Sequence, residues 1–145
     1  MDQSGERLRA WMGVDAATFY DASRIAIVPM GFCYPGQDAH GGDLPPRREC
    51  APTWLAEMMA ALPQIELVLA VGSYALQWHL GPLMRPTLGE TVAAWREIMA
   101  AGRSPIVLPM PHPSWRNNAW IKRNPWFETE LLPTVREEIA RRLGR

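Results

Sequence analysis

Three short apolar runs, each cut off by glycine or proline, constrain the fold of this chain more than any other feature. They are "RIAIVPM" (Arg24 to Met30), "IELVLAVG" (Ile65 to Gly72) and "PIVLP" (Pro105 to Pro109), rich in β-branched residues and too short for ordinary helices. Such runs fit strands buried on both faces better than strands with one wet face, on which polar residues would alternate. The intervening stretches follow a helical period instead. Strands alternating with helices predict a parallel sheet covered on both sides, a three-layer α/β/α sandwich.

The helices are expected at Glu6 to Met12, stopped by Gly13, and at Ala16 to Tyr20. A third is expected at Pro52 to Leu62, with proline at its start and Leu55, Met58, Met59 and Leu62 along one face. Ser73 reads as the N-cap of Tyr74 to Leu80, with Gly81 behind it. Thr87 to Ala100 carries the stripe Leu88, Val92, Trp95 and Met99. Asn124 and Pro125 open a closing helix, kinked at Pro133, whose face is Phe127, Leu131, Val135, Ile139 and Leu143. Residues 31–50, with four glycines and three prolines, read as one long loop. Loops of that length are usually functional or disordered.

A chain of 145 residues makes about one domain, 1–145, with enough length to bury a core. No apolar run reaches the length of a membrane span, and "MDQSGERLRAWMG" lacks the regions of a secretory signal, so a cytoplasmic protein is the expectation. The net charge is zero but unevenly spread. Residues 1–102 carry 7 Lys/Arg against 11 Asp/Glu, and residues 103–145 carry 8 against 4. The basic part begins just before the third strand.

In open parallel sheets ligands bind beyond the carboxyl ends of the strands, so the loops after Met30, Val71 and Pro109 should line one cleft. The unusual chemistry falls there. His112 stands between Pro111 and Pro113 in "VLPMPHPSWRNN", a stiff turn suited to aiming a side chain at a substrate, or else a surface turn with an incidental histidine. His40 and His79 are weaker candidates. Cys33 and Cys50 border the long loop, either as metal ligands or as reduced thiols. Arg47 and Arg48 lie in the long loop, and Arg116, Lys122 and Arg123 are interleaved with Trp115, Trp120 and Trp126. Cations among aromatics suit phosphates and unstacked bases, or form a solvated face over a tryptophan-containing core. No phosphate-binding glycine loop, HExxH or nucleophile elbow is present.

The order "IAIVPMGFCYPG", "GDLPPRRECAPTWL", "ELVLAVGSYALQWHLG" and "LPMPHPSWRNNAW" resembles the uracil-DNA glycosylase superfamily, in particular its bacterial iron–sulfur-type branch. The resemblance implies a base-flipping enzyme that cleaves the N-glycosidic bond of uracil or a related deaminated base in single- or double-stranded DNA. It gives His112 the catalytic role, a hydrogen bond to the base oxygen as negative charge builds there. Pro113 and Ser114 would press on the DNA backbone, and Trp115, Arg116, Asn117 and Asn118 would reach the gap left by the flipped nucleotide. Tyr34, Pro35, Arg47 and Arg48 would add substrate and DNA contacts. Cys33 and Cys50 match two of four ligands of a 4Fe-4S cluster, which two cysteines cannot complete.

The same resemblance marks departures. Met1 falls just ahead of the segment that matches, so the first cysteine pair, the first strand and a glycine-rich loop are expected to be missing from an N-terminally shortened domain. Pro29 stands where many relatives carry an asparagine that reads uracil. Reduced or lost glycosylase activity is the expectation. The alternatives are a non-catalytic DNA-binding module of the same fold and, more remotely, a hydrolase of free nucleosides.

Overall fold

A computed structural model describes residues 3–28 and 55–144. It begins with α1 (Gln3–Met12) and α2 (Ala16–Phe19), and the second part opens with α3 (Ala56–Ala60). Strand β1 (Leu67–Val71), α4 (Ser73–Leu80), α5 (Leu88–Ala93), α6 (Trp95–Met99) and strand β2 (Ile106–Met110) follow. The chain closes with α7 (Asn118–Arg123), a π turn over Phe127–Leu131 and α8 (Leu132–Leu143).

The two strands pair in parallel, Leu67 opposite Ile106 through Val71 opposite Met110. Alternate residues leave the sheet in opposite directions, as the pleat requires. Leu108 and Met110 are buried in one cluster with Trp11, Phe127, Leu131 and Val135, against which Leu67, Leu69 and Val71 also pack. Ala70 and Val107 join a second cluster with Leu76, Leu80 and Ile98, and Val68 packs on it. Each strand is apolar throughout because both of its faces are covered, so the reading from composition holds for these two runs.

The expected first strand does not hold. Arg24 to Val28 forms no strand, and Pro29 and Met30 lie outside the described residues. A ladder needs a neighbour at about 4.8 Å, whereas a groove separates this segment from Leu67, Val68 and Leu69. Among the described residues the fold is thus a mixed helix and sheet structure around two parallel strands, short of the expected α/β/α sandwich.

The helix boundaries also differ for identifiable reasons. Thr87 does cap α5, accepting a bond from the Glu90 N–H at 3.1 Å. A turn at Ala94 then splits the expected helix 87–100, so that Val92 and Trp95 enter the first cluster and Ile98 the second. The closing helix does not start at Asn124. That residue precedes Pro125, which disfavours helical torsions before it, and Asn124 ends α7 instead, its side-chain amide donating to the Trp120 carbonyl at 2.7 Å. Pro133 has no N–H for the Thr129 carbonyl, and the π turn just ahead of it absorbs the mismatch. Phe127, Leu131, Val135 and Ile139 are all buried on the expected face. The third helix shows only Ala56–Ala60 as α-helix, with residues 51–54 outside the described range.

Candidate functional site

The parallel register brings the carboxyl ends of β1 and β2 side by side. Gly72 continues the ladder by one bond, its N–H donating to the Met110 carbonyl at 3.0 Å. The chain then turns into α4 within a single residue, at φ 84° and ψ 168°. Glycine has no Cβ to oppose this torsion. Gly72 is therefore the cap of α4, and Ser73, expected as the cap, is the first helical residue. Displaced from that task, Ser73 and Tyr74 are exposed at the strand end.

A Cβ built on Gly72 would sit 3.8 Å from both Cβ and Cδ2 of His112. The histidine thus stands directly over the β1–α4 turn, at the strand ends where the alternation of elements predicted a cleft. Pro111 and Pro113 are buried on either side, and His112 itself is exposed. Its Nδ1 accepts a hydrogen bond from the Ser114 backbone N–H at 3.1 Å. A backbone amide can only donate, so Nδ1 is the bare nitrogen and the neutral ring carries its hydrogen on Nε2. The turn leaves one N–H donor for a ligand.

The rest of the turn is bonded to itself. The Ser114 hydroxyl accepts from the Arg116 N–H at 3.2 Å, and the Asn117 amide donates to the His112 carbonyl at 2.8 Å. The Asn118 side-chain oxygen accepts from Arg7 of α1. The two asparagines expected to reach toward DNA thus each make one bond within the protein. Trp115, by contrast, is 72% exposed. Trp120 and Trp126 are half-buried and meet edge to face at 5.7 Å, and Trp120 packs on Phe127 at 5.8 Å. Both pack against the first apolar cluster, and Trp115 is the most exposed of the three. Arg116, Lys122 and Arg123 are exposed.

His112 also lines, with Leu67, Val71, Ala75, His79 and Arg142, a cavity of about 680 Å³. Its lining is largely apolar, as small-molecule pockets are.

A family model of the uracil-DNA glycosylase superfamily matches residues 1–136. The chain belongs to that superfamily. In this glycosylase-family chain the "GSYA" and "HPS" segments, far apart in sequence, meet at the ends of two paired strands. Sequence reasoning missed Ser73, Tyr74 and Arg7 as parts of the site. The glycine at a strand end followed by a helix carried a signal for the first two, and nothing local pointed to Arg7.

Tyr34, Pro35, Arg47, Arg48, Cys33 and Cys50 lie outside the described residues. The sequence supplies two thiols against the four that hold a cubane cluster. Among the described residues no group of His, Cys, Asp or Glu could hold a metal ion. Among the described residues no helix is long and apolar enough to cross a membrane.

Proposed function

We propose that the chain excises uracil or a related deaminated base from DNA, with His112 as the electrophile. The observation that carries this reading is the Nε2–H donor at the strand ends, without a partner among the described residues while the Ser114 amide occupies Nδ1. In the reaction the C1′–N bond breaks and its electron pair passes to the leaving base. The His112 Nε2–H bonds the base carbonyl oxygen on which that charge collects. Water then adds to C1′ and loses a proton to solvent, giving a free base and an abasic site. One well-aimed donor to a developing oxyanion is worth on the order of 10²–10³ in rate.

A base reaches such a site only when flipped out of the stack. Exposed Trp115 is suited to fill the space left behind, as apolar wedges do, and Arg116, Lys122 and Arg123 supply charge for phosphates. Exposed Ser73 and the first amides of α4 stand at the same strand end and suit a phosphate beside the flipped nucleotide. The resemblance places Pro29 where relatives read uracil with an asparagine. Proline offers no side-chain amide, so discrimination between bases rests on the remaining contacts, and slow turnover is part of this reading.

The test is a single-turnover assay of a uracil-containing oligonucleotide, scored as alkali-labile sites, beside His112→Ala. Abasic product that falls on the order of 10²-fold or more in the variant supports the reading. DNA binding without abasic product, unchanged in His112→Ala, would replace it with a non-catalytic DNA-binding module.

A further inference from the structure

We propose that Asn117 is the positioning residue of His112, holding the histidine through the bond from its side-chain amide to the His112 carbonyl. The proposal rests on the electrophilic role of His112 and adds a residue that acts through it.

A peptide bond ordinarily offers two polar groups, N–H and C=O, by which the protein can fix its plane. The bond between His112 and Pro113 has no N–H, which leaves the His112 carbonyl as its only handle. Asn117 Nδ2 takes that handle at 2.8 Å. Among the described residues no other side chain is bonded to it. Fixing this plane fixes the main-chain torsion of His112 on the side toward Ser114, whose amide sets the ring. The loop closes on itself, because the Asn117 N–H donates to the Ser114 carbonyl at 3.1 Å.

The second observation concerns what Asn117 does not do. It stands at the N-cap of α7, where asparagine usually accepts a bond from a helical N–H through its side-chain oxygen. Its side chain makes no such bond. The amide is turned back toward His112, a use that only a donor can serve. Aspartate and serine cap helices as well as asparagine does, but an aspartate has no hydrogen to give. The next residue continues the restraint, since Asn118 is tied to Arg7 and so joins the turn to α1.

This separates two consequences of one substitution. Asn117→Asp keeps a side chain that can cap α7 and removes the donor, placing a carboxylate against the carbonyl. Asn117→Ala removes the donor without adding charge. Both are expected to lower the single-turnover excision rate on the order of 10- to 100-fold, the scale of a misplaced catalytic group. Affinity for an abasic product duplex is expected to stay as in the wild type. Nitrogen-15 spectra of the histidines, with His112→Ala for assignment, should show Nε2–H alone on the neutral wild-type ring and a mixture of tautomers in both variants. Thermal unfolding of Asn117→Asp should match the wild type, which sets global damage aside.

The proposal is overturned if both variants keep the wild-type ring signature. It is equally overturned if they lose DNA affinity in step with rate while the ring is unchanged, since the amide would then act on DNA. Absence of excision by the wild-type chain would sink the glycosylase reading but not this test, because the ring signature decides the positioning role without turnover.

Discussion

Gly72→Ala isolates the cost of the turn that builds the site. The residue is pinned at both ends, its N–H on the Met110 carbonyl and its C=O on the Leu76 N–H, each at 3.0 Å, so it cannot relax without breaking the ladder or the first bond of α4. Space does not forbid a methyl group there, since the nearest atoms outside the turn are His112 carbons at 3.8 Å, an ordinary contact. The whole cost therefore comes from the torsions, φ 84° and ψ 168°, a region that residues with a Cβ avoid. A strained residue of this kind costs about 1–3 kcal/mol. At about 2–4 °C per kcal/mol for a chain of this size, the Tm should fall by roughly 2 to 12 °C. Because the methyl group lies against His112, relaxation of the turn would also lower excision. Gly89→Ala is the contrast, with helical torsions but a Cβ 2.9 Å from Trp120 Nε1, so any loss there comes from crowding. The assay is thermal unfolding by circular dichroism, with chemical denaturation to confirm an unchanged m-value. Gly72→Ala unfolding at the wild-type temperature would refute the claim that the strand end enforces this conformation.

Thr91 is fully buried, with its hydroxyl donating to the Thr87 carbonyl at 2.7 Å and accepting from the Arg85 N–H at 3.1 Å. Thr91→Val, similar in shape, strands that amide and should cost about 1–3 kcal/mol in denaturant unfolding; a neutral result would mean that the amide finds another partner. Burial, and then the nearby Arg103 charge, hold the His79 pKa below its ordinary 6.5. The unfolded chain then binds more protons than the folded one between that lowered value and 6.5, so stability should fall as pH drops below about 6.5. His79→Gln should flatten this slope in unfolding curves taken from pH 7.5 to 5, and an unaltered slope would assign it to other groups.

The split between local and long-range information runs through single residues. Thr87 and Asp15 act as caps in ways that neighbours in sequence suffice to explain, each accepting a bond from an N–H three residues on. The face Phe127, Leu131, Val135 and Ile139 was readable from its period, although the π turn ahead of Pro133 was not. His112 stood out as a histidine in a stiff turn, yet its hydrogen on Nε2 depends on where the Ser114 amide points. Asn117 read as a DNA contact, and only the geometry shows its amide bonded to the His112 carbonyl. Arg24 to Val28 has the composition of a strand and no ladder, because a strand exists only when a second chain segment lies at bonding distance.

The sequence by itself determined the alternation of apolar runs and amphipathic helices, the two buried strands, the positions of the breakers, the basic bias of the last third and the family motifs. These are properties of period, composition and short spacing, which neighbouring residues settle among themselves. Only the tertiary structure decided that Gly72 stands under His112, that Trp115 is exposed while Trp120 and Trp126 are half-buried, and that Arg7 reaches Asn118. Those arrangements join residues tens of positions apart. They follow from the register Val71 opposite Met110 and from the two apolar clusters that hold the strands between helices, where the free energy of burial depends on the whole packed set and on no single segment.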